Sequence, residues 1–186
     1  MKNTLLVVIL LFGLQERSFS CSCVWGGSFL KVSNDTSLVD IVAVVKVKRH
    51  LNLKGRYDRK TPMSMEVEVV EVLRGTERRR TIEIWGDNGM MCRSYISEFP
   101  EGTTWILALR HGSETWGHRG ETKSNYAISG CGEYSLELKR KRVIGLIEKK
   151  ARYYQDKQGN YVESKDEKMR VKKFKRKLEA LRNSAA

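Results

Sequence analysis

Residues 38–50 read Leu-Val-Asp-Ile-Val-Ala-Val-Val-Lys-Val-Lys-Arg-His, a run rich in β-branched side chains and apolar on both faces. Such a run suits a strand covered on both sides, as in a closed or layered sheet. A polar, glycine-containing stretch from Asn52 to Pro62 is expected to break it. The next strand runs from about Met63 to Leu73, where the alternation of Met65, Val67 and Val69 slips at Val70 to Val72. A slip of this kind is the mark of a β-bulge, which bends a strand and helps a small sheet to close. Further strands are expected at Thr81 to Trp85, Thr103 to Arg110 and Asn125 to Cys131, separated by the turns Arg74-Gly75-Thr76 and Gly86-Asp87-Asn88-Gly89 and by a polar loop from His111 to Lys123. Five strands without alternating helices predict a mainly β chain, a five-stranded OB-type antiparallel barrel.

From Tyr134 onward the pattern changes. Leu136, Val143, Ile144 and Ile147 recur at helical spacing, and Val171, Phe174, Leu178 and Leu181 form a second stripe. Two C-terminal helices are therefore expected beside the barrel. The chain of 186 residues carries a net charge of +13, and residues 139–186 hold 17 Lys and Arg against 6 Asp and Glu. The basic character belongs to this tail. Its cations Lys172, Lys173, Lys175, Arg176 and Lys177 are the candidates for contact with anionic polysaccharide or lipid head groups.

At the other end, Lys2, an apolar run from Leu5 to Leu14 and the small residues Ser18 and Ser20 read as a secretory signal cleaved before Cys21. The run is too short to span a bilayer. The expected organisation is a signal over residues 1–20, a barrel domain over 21–150 and a basic tail over 151–186. Cleavage would place a free α-amine on Cys21, at the head of Cys21-Ser22-Cys23. The amine and carbonyl oxygen of a first residue can together chelate a metal ion. The alternative fate of such a cysteine is acylation as a lipoprotein anchor, which would block the amine. The chain is thus expected to be secreted, or periplasmic or surface-bound in a bacterium.

Four cysteines in an exported chain read as two disulfides. Cys21 and Cys23 are too close to bond each other readily, so each is expected to reach Cys92 or Cys131. Loops of this length contribute about 4 kcal/mol apiece in the chain-entropy account.

The CxC terminus created by signal removal, the strand-rich body, Cys92 and the Cys131-Gly132 pair together resemble the netrin-like module, and specifically the N-terminal domain of the tissue inhibitors of metalloproteinases. The likeness covers about residues 21–150. It implies an OB-type barrel with packed helices and the pairings Cys21 with Cys92 and Cys23 with Cys131. It also implies that the Cys21 amine and carbonyl bind the catalytic zinc of a metalloproteinase. Ser22 would then enter the specificity pocket, Cys23, Val24 and Trp25 would continue along the cleft, and Met90 and Met91 would form the adjacent edge. The sequence departs from the family in having no third disulfide in this domain, no second disulfide-bonded subdomain, and Trp25 where proline is common.

Other chemistries find little support. His50, His111 and His118 lack metal-ligand spacing and read as surface histidines, and there is neither an HExxH motif nor a Ser/His/Asp order. No enzyme activity, cofactor or resident metal site is expected. Trp85, Trp105 and Trp116 read as core or turn packing, because a body with almost no net charge lacks the phosphate-neutralising groove that nucleic acid needs. A monomer is expected. The alternative to an inhibitor is a non-inhibitory extracellular or envelope binding module that uses the basic tail.

Overall fold

In the computed structural model, which describes residues 25–56, 59–149, 152–155 and 158–184, strand β1 (Ile41–Arg56) is hydrogen-bonded along both edges over its first half. One edge pairs antiparallel with β2 (Arg59–Arg74), and the other pairs residues 41–46 with β4 (Thr104–His111). Ile41, Val42, Ala43, Val44 and Val45 are all buried, as are Ile106, Leu107, Ala108 and Leu109 opposite them. This explains the continuous apolar run: neither face of these strands meets water.

Strand β3 (Thr81–Trp85) follows β2 in the sheet, and the short β5 (Tyr126–Ala127) lies between β3 and β4. The order β1-β2-β3-β5-β4, returned to β1, closes a five-stranded barrel of OB-like type. One pairing differs from the antiparallel expectation: β5 runs parallel to β3, through Ile84 with Tyr126 and Trp85 with Ala127. The bulge in β2 is present. Val44 pairs with Glu71 and Val45 with Val69, so Val70 has no partner and stands 59% exposed.

The polar segment expected to end the first strand does not do so. Leu53 pairs with Pro62 and Lys54 with Thr61, extending the β1–β2 hairpin past the barrel wall with Asn52, Leu53 and Lys54 exposed. Asn52 adopts a positive φ of 51° and donates to Ser64 Oγ at 2.7 Å and Glu83 Oε1 at 2.9 Å. Backbone pairing and the Asn52 side-chain bonds carry this arm, so its side chains show no apolar alternation.

The first predicted C-terminal helix is replaced by a hairpin of β6 (Ser135–Lys139) and β7 (Arg142–Gly145). Leu136 and Val143 do reach the core, but from two strands. Their apparent helical spacing arises because the turn Arg140-Lys141 separates them, both residues having positive φ (48° and 62°). This is the geometry of a two-residue hairpin turn, made without the usual Asn or Gly. The segment that follows holds a two-stranded pair, β8 (Tyr153–Gln155) and β9 (Tyr161–Glu163), and then β10 (Glu167–Arg170), which pairs with β7.

The second helical stripe is as expected. Helix α2 (Val171–Ser184) buries Phe174 and Leu178, with Val171 and Leu181 packed at its edges. The short helix α1 (Phe29–Asn34) packs against both β4 and α2, and the Phe29 and Phe174 rings lie 5.8 Å apart. The helix is therefore part of the core that covers the barrel. Phe174→Ala is expected to lower unfolding free energy by about 3 kcal/mol in a denaturant titration; a loss near zero would mean that the helix is not docked.

Candidate functional site

The loop after β3 is shaped by one carboxylate. Asp87 is buried, its backbone N–H donates to Ser94 O at 3.0 Å to close the loop, and its side chain faces inward. Oδ1 accepts from the backbone N–H groups of Gly89, Met90 (2.9 Å) and Met91 (3.2 Å), and Oδ2 accepts from Arg93 N–H at 2.9 Å. Burial alone would raise the Asp87 pKa, but these donors outweigh it and hold the carboxyl below its ordinary value. Gly86, just before it, tolerates no side chain, since an added Cβ would stand 2.6 Å from Ser94 O. The result is a fixed ridge on which Met90 is 65% exposed, Met91 is half-buried and Cys92 adopts a φ of 53°.

Cys131 is brought beside this ridge. Gly130 N–H donates to Cys92 O at 2.8 Å, Arg93 bridges Ser129, and Cys131 Sγ lies 3.8 Å from the Cys92 carbonyl oxygen. Both cysteines are disulfide-bonded, and none among the described residues is free. The N-terminal segment arrives at the same place. Gly26 N–H donates to Cys131 O at 2.7 Å, and Glu133 N–H donates to Gly27 O at 3.0 Å. The predicted contact residues Cys21, Ser22, Cys23 and Val24 lie outside the described residues. Trp25, next in sequence, is 37% exposed and adjoins the Gly26–Cys131 pairing.

A second carboxylate fixes the loop between β4 and β5. Glu121 is buried and accepts two bonds from Arg93, at 2.7 and 3.0 Å, and backbone bonds from Ser113 (2.8 Å) and His118 (2.9 Å). Burial pushes its pKa up, but the Arg93 guanidinium and these N–H groups prevail and lower it. The loop so held presents Trp116, 83% exposed, whose backbone N–H donates to Ser113 Oγ at 3.0 Å.

His118 corrects the surface assignment: it is 4% exposed, stacks on Trp85 at 4.9 Å and bonds Gly86 O through Nε2 at 2.8 Å. A carbonyl only accepts, so Nε2 carries the proton, and Nδ1 has no partner among the described residues. Burial lowers the His118 pKa, keeping the ring neutral. His50 is half-buried with Nε2 2.9 Å from Phe99 O, while His111 is exposed and stacks on Tyr126. Trp116 likewise departs from the expected packing role, whereas Trp85 is core and Trp105 half-buried.

Two open cavities flank the ridge and share Arg93. One, about 880 Å³, is lined in part by Met91, Cys92, Trp116 and Cys131; the other, about 780 Å³, by Trp25, Tyr95, Glu133 and Arg152. Six large apolar side chains are exposed among the described residues, and four of them, Trp25, Met90, Tyr95 and Trp116, surround this end of the barrel. Rigid exposed aromatics on fixed loops suit a protein-binding rim.

The five basic residues singled out on the tail divide. Lys175 pairs with Glu71 and Lys177 with Glu148 at 2.7 Å, whereas Lys172, Lys173 and Arg176 are exposed. Sequence reasoning found Met90, Met91 and the cysteines but missed Asp87, Arg93, Glu121 and Trp116. The Asp-Asn-Gly turn was the only local signal available, since an Asp there commonly accepts from N–H groups that follow it. No protein-family model matches this chain, and no curated protein matches it significantly.

The pH dependence follows from the signs. His118, with a folded pKa below its ordinary 6.5, contributes stability at neutral pH that is lost as pH falls below that value. Asp87 and Glu121, also depressed, hold their contribution until the ordinary carboxylate range, about pH 4, and lose it below. Melting temperature should therefore fall between pH 7 and 5, and His118→Gln should flatten that limb; an unchanged slope would contradict a buried neutral ring. Glu121→Gln leaves Arg93 without its buried partner and is expected to cost about 3 kcal/mol in denaturant unfolding; a change near zero would show that the pair does not fix the loop.

Proposed function

We propose that the chain is a secreted or surface-exposed inhibitor of zinc metalloendopeptidases that acts through the mature N-terminus. The observation that carries this reading is the Gly26–Cys131 pairing, which brings the incoming N-terminal segment to the disulfide-bonded Cys92 and Cys131, beside Met90. In this reading residues 1–20 are removed as a signal, and Cys21 and Cys23 are the disulfide partners of Cys92 and Cys131 respectively.

The chemistry matches a protease zinc. Such an ion has three protein ligands and an open position where water is activated. The Cys21 amine and carbonyl oxygen form a two-point ligand for it and displace that water. An α-amine has a pKa of about 7.7–8.0, so shedding its proton to bind costs little at neutral pH. Ser22 then enters the specificity pocket, Cys23 and Val24 follow the cleft, and Met90 and Met91 line its other side. The bonds to Asp87 and Glu121 matter because a wedge already in its bound shape loses little freedom on binding. Trp25, Tyr95 and Trp116 add apolar contacts around it.

The test is an inhibition titration against zinc endopeptidases with protein starting at Cys21. Stoichiometric inhibition is expected, abolished by acetylating the amine or by one extra residue before Cys21, and equal potency of the blocked form would exclude the mechanism. Trp116→Ala should weaken inhibition by about tenfold while leaving the amine requirement intact.

A further inference from the structure

The end of the molecule around the β6–β7 turn breaks three local rules with the same sign of charge. Arg142 and Arg170 are direct cross-strand partners in β7 and β10, and Lys139 is the partner of Arg142 on its other side. Like charges placed opposite one another destabilise a sheet. Between β6 and β7 the two turn positions with positive φ are filled by Arg140 and Lys141, where Gly or Asn would relieve the backbone. The first turn of α2 holds no acidic residue and begins Val171-Lys172-Lys173, against the preference of a helix N-terminus for negative charge. Val171 N–H donates to Lys141 O at 3.1 Å, tying the helix start to the turn.

These features converge on an open groove of about 720 Å³ lined by Arg140, Lys141, Arg142, Arg170, Lys172 and Lys175 around Leu138 and Val171. Among the described residues, no carboxylate lines it. Lys175 is neutralised by Glu71; the other five make no ion pair among the described residues. A sequence that departs from local rules repeatedly at one place, each time by adding a cation, is specifying a charge.

We infer that this groove binds a linear sulfated polysaccharide. The five cations supply the complementary charge, and Arg forks match the trigonal face of a sulfate group. Among the described residues, none of the exposed large apolar side chains, Trp25, Leu53, Val70, Met90, Tyr95 and Trp116, lines the groove, so it lacks a large exposed apolar side chain to insert into a membrane. Among the described residues it also has no aromatic on which a base could stack. The groove shares no lining residue with the cavities beside Cys92 and Cys131, and Ser135 and Lys139 mark opposite ends of β6 between them. A glycan held here leaves the other end free for a protein partner, and the inference does not depend on that partner being a protease.

The test is isothermal titration of the full mature protein with a heparin-type sulfated oligosaccharide, its desulfated counterpart, and phosphatidylserine-containing vesicles. Binding is expected for the sulfated chain alone, weakening linearly in log–log form as salt rises. Arg142→Gln with Arg170→Gln should weaken it by about tenfold or more and raise the melting temperature, because the like-charge pair is removed. Lys172→Gln should weaken it measurably, whereas Lys173→Gln with Arg176→Gln, outside the groove, should change it by less than about twofold. Equal binding by the Arg142/Arg170 double variant, a lowered melting temperature in it, or binding to vesicles and not to the glycan would overturn the inference.

Discussion

Strand β1 must satisfy backbone hydrogen bonds along both of its edges, and the barrel exists because it does. Residues 41–46 meet β2 on one side and β4 on the other. Closure removes the exposed edges that an open sheet of this size would leave. It also requires the strands to bend, to which the three register shifts along the β1–β2 ladder, the unpaired Val70 among them, contribute. Once the barrel closes, the β3–β4 and β4–β5 loops are brought together through β5, which pairs with both β3 and β4. That juxtaposition sets Cys92 beside Cys131 and allows Arg93 to reach Glu121.

The two loops are then held by buried carboxylates in addition to the apolar packing of Ile96, Phe99 and the His118–Trp85 stack. Asp87 collects four backbone donors within six residues, and Glu121 joins a guanidinium to two backbone donors of its own loop. Each carboxylate is costly to bury unless its acceptor capacity is used, so the loops have few alternative arrangements that keep these groups satisfied. Rigidity at this end is thus in part an electrostatic property of the chain. The basic groove is the reverse case, where five cations stand without an ion pair among the described residues and the fold bears the repulsion.

The barrel was legible in the sequence because its strands are apolar on both faces and its bulge interrupts a clear alternation. The hairpin of β6 and β7 was not, since its turn is written Arg140-Lys141, without the glycine or asparagine that announces left-handed backbone. Leu136, Val143 and Ile147 then fall at intervals a helix also permits. The strands from Tyr153 to Arg170 escaped notice because they are short, β8 and β9 forming a separate two-stranded pair and β10 the edge of the main sheet. At the site, Met90 and Met91 could be found from their place before Cys92. Arg93 and Glu121 could not, because 28 residues separate them and only barrel closure brings them into contact.

The account of function rests on a free amine at Cys21 attached to a chain stapled at Cys92 and Cys131. The intact mass of the naturally exported protein, measured without reduction, examines both features at once. The account predicts a chain beginning at Cys21, lighter by the hydrogens of two disulfides and carrying no acyl group. A terminus before Cys21, or an added acyl mass, would leave no amine to bind zinc and would contradict it.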